Sequence, residues 1–228
     1  MSDPLICCIM PTSDRVGHSQ PSIKRFRTQE YQNCYLVVID SGKDDVLKHY
    51  GRGIHIRCEK RSVGEMRNTG LIAAWTFTEG IPHYIAHFDD DDISAPNRLS
   101  CQLAHIQKTG KLVTGFYDCP MYDAKHDKVW IYENPRHSPY AVGCSLFYKR
   151  EAWEKHKFPD RTPEDNLWRN AVGGENIESR SVWENGKPLM IQVIHGGNAS
   201  ASIVRSSVYY KEPSEAQEKA VRELLQSA

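Results

Sequence analysis

Four consecutive aspartates are the residues of this sequence that most directly indicate chemistry. Asp89–Asp92 follow the apolar run of residues 83–88 in the stretch HYIAHFDDDDISAPNRL. Side chains alternate in direction along extended backbone, so Asp89 and Asp91 can converge on one cation while Asp90 points elsewhere. Carboxylate oxygens suit Mg²⁺ or Mn²⁺, and Mg²⁺ keeps coordination positions for waters and substrate phosphates. The cluster therefore predicts a divalent metal that holds a diphosphate.

The same cluster has a structural alternative. It could form an exposed acidic turn in which Asp92 caps the following helix. The apolar run in front of the cluster and the helix behind it favour a binding site, because ligands of open α/β sheets bind beyond the carboxyl ends of the strands.

Further candidates end predicted strands and therefore fall at the same edge of the sheet. Asp40 follows the apolar run of residues 35–39, and a carboxylate there can accept a hydrogen bond from the imide N–H of uracil. Pro11 and Thr12 end the first run and fall at the same edge. His195 ends the last run, before two glycines that permit close backbone approach. Loop capping by Asp40 and a purely structural His195 are the alternatives.

Two predicted helices carry the remaining candidates. Arg67 offers a planar, permanently charged donor group for phosphate or carboxylate, and Asn68 follows it. Glu164 and Asp165 are adjacent carboxylates that open a helix, and a carboxylate whose pKa is raised by burial and acidic neighbours suits a general base. The alternatives are a solvated helix face for Arg67 and a favourable interaction of both carboxylates with the helix dipole.

The composition predicts a soluble protein with a substantial core. Of the 228 residues, 39% are hydrophobic, and 29 basic residues balance 29 acidic ones. A neutral chain has no overall attraction for nucleic acid or an anionic membrane, so a nucleic-acid partner would need a local site. Seven cysteines without a CxxC pair indicate reduced thiols rather than a zinc site. Neither a leader nor an apolar segment of about 20 residues is seen, so a cytoplasmic location is expected.

The elements that must position these residues alternate between strand and helix. Short apolar runs predict buried strands of a mainly parallel sheet, and the stretches between them predict helices, so the fold class is α/β. The best-marked helix has Ser94 as its cap, Pro96 in its first turn and Gly110 at its end. The predicted strands are 5–10, 35–39, 54–58, 83–88 and 112–116, and the predicted helices are 19–30, 43–50, 63–78 and 95–109.

The second half of the sequence is less regular. Residues 117–140 are polar and aromatic and predict loops with short antiparallel strands. A capping box of Ser214 and Gln217 begins a C-terminal helix that either docks on the core or offers a partner surface. The other predicted elements are strands 143–149 and 189–194 and helices 151–156 and 165–171.

Ordered blocks of this sequence resemble family 2 glycosyltransferases of the GT-A fold through about residue 202. The blocks are PLICCIMPTSDR, YLVVIDSG, VGEMRNTGL, YIAHFDDDDISAPNRL, AVGCSLFYKREAWEK, PEDNLW and VIHGGNAS. The resemblance implies a single GT-A domain over residues 1–228, with a Rossmann-like, mainly parallel central sheet flanked by helices and a smaller antiparallel acceptor-side part. Within it, residues 1–116 would bind the nucleotide sugar, residues 117–202 the acceptor, and residues 203–228 would form a helical tail.

The resemblance also implies a role for each candidate. Asp165 becomes the general base that activates an acceptor hydroxyl, and Glu164 orients the site. The metal, Mn²⁺ or Mg²⁺, would be held by Asp89, Asp91 and His195, with a diphosphate contact as the alternative role of His195. The implied reaction moves a sugar, with inversion, from a nucleotide diphosphate sugar such as a UDP-sugar to the acceptor. The implied nucleotide and diphosphate contacts are Pro11, Thr12, Asp40, Arg67, Asn68, Asp89 and Asp90.

Two rival functions compete for these residues. A nucleotidyltransferase would use a similar metal site, but it needs a Gly-rich, basic loop after the first strand, and PTSDRVGHSQ has one glycine and one arginine. A non-catalytic nucleotide-sugar-binding module would not need Glu164 and Asp165. Ser13, Asp14 and Ser41 depart from the family pattern beside the base, so GDP and dTDP stay open beside the favoured UDP.

The acceptor is a glycan or glycoconjugate in this interpretation, and a modified DNA base is the alternative. Aromatic side chains could stack on sugar rings or on bases, or they could belong to the core. Basic side chains could meet a phosphorylated acceptor. The aromatic residues are Trp130, Tyr132, Tyr140, Trp153 and Trp168, and the basic residues are Arg136, His137, Lys149 and Arg150.

Overall fold

The computed structural model is an α/β protein built on two main sheets. It describes residues 3–43, 52–77, 80–195 and 209–227. The strands are β1 (Ile6–Thr12), β2 (Cys34–Asp40), β3 (Gly53–Arg57), β4 (Tyr84–His87), β5 (Ile93–Ser94), β6 (Val113–Thr114), β7 (Asp118–Asp123), β8 (Lys128–Glu133), β9 (Phe147–Lys149), β10 (Trp183–Glu184), β11 (Lys187–Pro188), β12 (Met190–Ile194) and β13 (Tyr210–Lys211). The helices are α1 (Val16–Arg27), α2 (Val63–Phe77), α3 (Arg98–Thr109), α4 (Arg150–Lys155), α5 (Glu164–Val172) and α6 (Glu215–Gln226).

The larger sheet has six strands in the order β3-β2-β1-β4-β9-β6. The first four run parallel, whereas β9 is antiparallel to both of its neighbours. All of β2 and all of β1 except Pro11 are buried, because helices cover both faces of the sheet. This double coverage explains the continuous apolar runs in the sequence and confirms the predicted mainly parallel sheet.

The two faces of this sheet have separate hydrophobic cores. On one face, Trp153 of α4 and Trp168 of α5 pack with Leu71 of α2. On the other face, Phe26 of α1 packs with Leu99 of α3. The predicted helices and strands therefore contribute their apolar sides to a common layered structure, as expected for an α/β fold.

Helix α3 confirms the predicted apolar face but corrects its predicted start. It begins at Arg98, and Ser94 lies in β5, where its hydroxyl accepts a hydrogen bond from Arg98 Nη1 at 2.8 Å. Asn97 holds the N-cap position without a side-chain capping bond. Gly110 ends the helix with φ +70°, a left-handed conformation that glycine adopts without strain. A serine two residues before a proline resembles an N-cap in sequence, but here the serine belongs to strand β5.

Helix α1 begins at Val16, three residues before its predicted start. Arg15 holds the N-cap position without a side-chain bond, so no capping residue marks the start in the sequence. Helix α2 spans Val63–Phe77, close to its predicted bounds. Of the predicted helix 43–50, residues 44–50 lie outside the described residues.

A second sheet has the order β13-β8-β7-β12-β5. The hairpin of β7 and β8 provides the short antiparallel strands that were predicted within residues 117–140. Helix α6 begins with the predicted capping box of Ser214 and Gln217, and its Val221 is buried against Ile131 and Ile191. Helix α6 therefore docks on the core, which was the first of the two predicted alternatives.

Residues 143–149 form a 3₁₀ turn and a short strand rather than the single predicted strand. The turn is Gly143–Ser145, and β9 follows it. The Ser145 hydroxyl donates to the Val142 carbonyl at 2.7 Å and accepts from the Phe116 amide at 2.8 Å. These two side-chain bonds hold the turn in place of a strand ladder.

The cysteines and the helices bear on the expectations of reduced thiols and of no membrane span. All seven cysteines are free, and five of them are buried. Among the described residues, every helix is too short or too polar to span a bilayer.

Candidate functional site

The carboxyl ends of β1 and β4 open into a cleft of about 840 Å³. Side chains of β7, β8 and β12 form its opposite wall, and the first turn of α5 closes one side. The cleft brings together residues that are far apart in sequence. Of the predicted site residues, those that line it are Pro11, Arg67, Asp89, Asp90, Asp91, Glu164 and Asp165.

The positive partner of the aspartate cluster is Arg15, a residue that the sequence analysis did not single out. Its Nη1 lies 3.0 Å from Asp90 Oδ1, and its Nη2 lies 2.6 Å from Asp91 Oδ2. Thr12 Oγ1 donates a second bond to Asp90, at 2.7 Å. The prediction that Asp90 and Asp91 point apart is therefore wrong, because one guanidinium contacts both.

His195 lies beside Asp91 at the end of β12. Its Nε2 is 3.0 Å from Asp91 Oδ2 and 2.6 Å from Arg15 Nη2. The imidazole also stacks on His18 of α1, with ring centroids 4.2 Å apart. The guanidinium of Arg15 thus lies against the same two side chains that were predicted to bind a metal.

Asp91 and His195 stand at hydrogen-bond distance, a separation that two ligands of one divalent cation also have. Two ligands at about 2.1 Å from a metal, on adjacent vertices of an octahedron, are about 3.0 Å apart. The observed separation of the Asp91 oxygen and the His195 nitrogen is 3.0 Å. An oxygen and an imidazole nitrogen together suit Mn²⁺ better than Ca²⁺. Within the described part of the chain, no three His, Cys, Asp or Glu side chains converge to complete such a site.

Asp89 and Arg67 form a separate ion pair in the cleft. Arg67 Nη2 lies 3.2 Å from Asp89 Oδ1, and Arg67 Nη1 contacts Glu164. Burial works to lower the pKa of Arg67, but Asp89 and Glu164 outweigh it and raise that pKa. The solvated helix face that was the alternative for Arg67 is wrong, because this side chain is buried and holds two carboxylates. In this structure Asp89 is paired with Arg67, whereas Asp91 is paired with Arg15 and His195.

Asn68 does not line the cleft and is corrected from a predicted nucleotide contact to a packing residue. Its amide group donates to the Phe158 carbonyl at 2.8 Å. Its Oδ1 accepts from Trp153 Nε1 at 2.8 Å and from the Phe158 amide at 3.1 Å. Asn68 therefore links α2 to α4 and to the chain that follows α4.

Glu164 and Asp165 open α5, directly after Pro163 at the N-cap position. Glu164 is buried against Arg67. The Asp165 carboxylate lies so close to Gly143 that a methyl group on Gly143 would clash with it. The absence of a side chain at Gly143 thus leaves room for the Asp165 carboxylate. The sequence alone did not indicate this contact.

Asp40 is fully buried at the end of β2, opposite Thr12 of β1. Its Oδ1 accepts from the Gly42 amide at 2.8 Å, and its Oδ2 lies 3.2 Å from His55 Nε2. Arg57 approaches the same oxygen at 3.7 Å. The structure therefore places Asp40 in the loop-capping arrangement that was its alternative, and this side chain does not line the cleft.

Burial raises the pKa of three of the four clustered aspartates. The pKa of Asp90 rises from 3.8 to about 6 through burial, although Thr12 and Arg15 oppose the rise. Burial also raises the pKa of Asp89, and it raises that of Asp92 well above the ordinary value. Asp92 accepts a bond from the Val193 amide at 3.3 Å, so it ties β12 to the cluster and does not cap a helix.

Sequence and structure comparisons place the chain among known proteins. Residues 7–163, more than half of the chain, match the family model described as Glycosyl transferase family 2. The chain is 29% identical over 234 residues to WcaA of Escherichia coli (strain K12), which is assigned as a colanic acid biosynthesis glycosyl transferase. That match covers 90% of this chain and 77% of WcaA.

Two solved structures share the fold. The mannosyltransferase PcManGT from Pyrobaculum calidifontis, in complex with GDP-Man and Mn²⁺, superposes with a TM-score of 0.61 at 15% identity, covering 91% of this chain and 59% of that one. S. aureus TarS 1-349 in complex with UDP-GlcNAc gives a TM-score of 0.62 at 16% identity, with 96% and 65% covered. This chain therefore spans less than two thirds of either solved chain. On the family match, the chain belongs to glycosyl transferase family 2.

Proposed function

We propose that this protein is a metal-dependent, inverting hexosyltransferase that moves a sugar from a nucleotide diphosphate sugar to an acceptor hydroxyl. One observation carries the proposal. Asp91 and Asp165 line the same cleft at the carboxyl edge of the sheet, and His195 lies beside Asp91. Residues 1–116 would supply most of the donor site, and residues 117–202 most of the acceptor site. The family membership supports the reaction class.

The donor site needs a cation and a fit to the base. Asp91 and His195 would hold Mn²⁺ or Mg²⁺, which when bound neutralises charge on the departing diphosphate. Arg15, once released from Asp91, would carry its positive charge toward the same phosphates. Pro11 and Thr12 end β1 at the place expected for the base. UDP is the proposed nucleotide; among the structural neighbours, PcManGT is complexed with GDP-Man and TarS with UDP-GlcNAc.

The acceptor hydroxyl would be activated by Asp165. This carboxylate lines the cleft and lies close to Gly143. Glu164 is held by Arg67, so Asp165 is the member of the adjacent pair that is left to accept a proton. Attack by the acceptor oxygen from the face opposite the diphosphate would invert the anomeric carbon.

The proposed function is tested with a panel of nucleotide sugars, each with and without Mn²⁺. We expect one UDP-sugar to raise the melting temperature in the presence of Mn²⁺ and to be hydrolysed slowly to UDP and free sugar. Asp165→Asn should retain nucleotide binding and lose transfer, which distinguishes an enzyme from a binding module. Formation of pyrophosphate from UTP and a sugar phosphate would instead establish the nucleotidyltransferase alternative.

A further inference from the structure

A second cavity of about 420 Å³ adjoins the cleft. Tyr140 and Tyr209 line both cavities, so the two are neighbours that share a wall. We call this second cavity the arginine pocket. Its other lining residues are Asn134, Arg136, Pro139, Arg169, Asn170, Gly174 and Ile177.

Arg169 is a buried cation with spare hydrogen-bonding capacity in this pocket. Arg169 is only 7% exposed, and its Nε has no hydrogen-bond partner. The guanidinium lies over the ring of Tyr140, 4.6 Å from the centroid, and contacts Asn166. A buried donor without a partner costs free energy, which a ligand acceptor would recover once the side chain turns to meet it.

The two charged residues that line the arginine pocket, among those the structure describes, are both arginines. Arg136 is exposed at its rim, and Asn134 and Asn170 add amide groups. Among the described residues that line it, none is acidic. Two other basic residues that were candidates for a phosphorylated acceptor lie elsewhere, because Lys149 donates to the Gly110 carbonyl and Arg150 pairs with Glu154. Of these basic candidates, Arg136 lines the arginine pocket, where it is joined by Arg169.

The position of the pocket relative to Asp165 links it to the acceptor. Asp165 and Arg169 are four residues apart on α5, which is about 6 Å along the helix axis. Side chains with this spacing project from the same face of a helix. An acceptor whose hydroxyl reaches Asp165 would therefore extend past Tyr140 toward Arg169.

We propose that the arginine pocket binds an anionic substituent, a carboxylate or a phosphate, on the acceptor. This inference rests on the proposed function, since it takes Asp165 as the point of transfer. Arg169 and Arg136 supply charge-assisted donors, and Tyr140 and Tyr209 supply the aromatic surface on which a sugar ring stacks. The protein would then select acidic over neutral acceptors of the same shape.

The test compares matched probes on protein saturated with UDP and Mn²⁺, so that the diphosphate position is filled. One pair is methyl β-D-glucuronoside against methyl β-D-glucoside, and the other is glycerol 3-phosphate against glycerol. Affinities are measured by titration, and the arginine Nε–H signals are followed by ¹H–¹⁵N NMR. We expect at least one anionic probe to bind about tenfold more tightly than its neutral partner and to shift the Arg169 signal. The pair that shows the preference identifies carboxylate or phosphate as the preferred group.

Variants locate the binding. Arg136→Gln at the exposed rim, and Arg169→Lys, which keeps the charge but loses the planar donor group, should each reduce the preference severalfold. Arg150→Gln is the matched control, and its preference should equal that of the wild-type protein. Equal affinities for anionic and neutral probes in both pairs, with UDP and Mn²⁺ bound normally, would overturn the proposal. Failure of UDP to bind at all would refute the proposed function, and the acceptor site with it.

Discussion

At the scale of single residues, the cleft contains four carboxylates that are shared between two arginines. Arg15 contacts Asp90 and Asp91, whereas Arg67 contacts Asp89 and Glu164. The sequence showed that these acidic residues would gather at one edge of the sheet. It could not show which arginine each would face, because Arg67 and Glu164 are 97 residues apart and only tertiary packing brings them together.

Arg15 and a divalent cation compete for the same side chains, and Arg15→Gln tests that competition. In the absence of nucleotide, the variant should bind Mn²⁺ about tenfold more tightly, because a positive charge a few ångströms from the metal is removed. Isothermal titration with MnCl₂ measures this, and Arg27→Gln at the other end of α1 is the control. Unchanged or weaker Mn²⁺ binding by Arg15→Gln, with the control unchanged, would contradict the assignment of Asp91 and His195 as the metal ligands.

Asp90 should make stability depend on pH in a defined direction. Its pKa in the folded protein is about 6, above the ordinary 3.8, so the folded state holds the proton more tightly than the unfolded state does. The free energy of unfolding therefore falls as pH rises from about 4 to about 6, by about 3 kcal/mol from this group. Asp90→Asn removes that dependence.

Urea unfolding of both proteins at pH 4 and pH 7, with EDTA present, measures the effect of Asp90. The stability of Asp90→Asn relative to the wild-type protein should increase between the two pH values. A difference between the proteins that stays constant with pH would show that the Asp90 carboxylate titrates near its ordinary value.

At the scale of elements, the turns and helix ends determine where the chemistry lies. The sequence predicted β1, β2 and α6 well, because long apolar runs and a complete capping box are local signals. It misplaced the start of α1, where Arg15 caps without a side-chain bond, and it missed the turn at Gly143–Ser145. That turn is held by bonds to Val142 and Phe116, and the Phe116 contact is set by the tertiary fold.

Gly143→Ala tests whether this turn positions Asp165. The added methyl group would clash with the Asp165 side chain and rotate its carboxylate. Because a displacement of about 1 Å can cost about 100-fold in rate, transfer should fall about that much while binding of UDP and Mn²⁺ changes less than about twofold. Gly17→Ala in α1, where a methyl group meets no atom within 4 Å, is the control. Wild-type transfer by Gly143→Ala would show that Asp165 does not depend on the turn.

At the scale of the whole molecule, two sheets meet around one cleft. The parallel strands β1 and β4 bring Pro11 and the aspartates to the cleft, and His195 follows β12 of the second sheet and lies beside Asp91. The α/β class and the edge of the sheet that carries the site follow from the alternation of strands and helices. The pairing of β12 with β5 and β7 could not be predicted in this way, because strands so distant in sequence have several possible neighbours.

The central claim is that Asp91 and His195 hold a cation which in turn holds a nucleotide diphosphate. Titration of UDP into the wild-type protein and into Asp91→Asn, each with Mn²⁺ and with EDTA, tests it most directly. We expect Mn²⁺ to tighten UDP binding to the wild-type protein by at least about tenfold, about 1.4 kcal/mol. Asp91→Asn should lose this gain and bind UDP equally with Mn²⁺ and with EDTA. Equal Mn²⁺-dependent gains in both proteins would contradict the account.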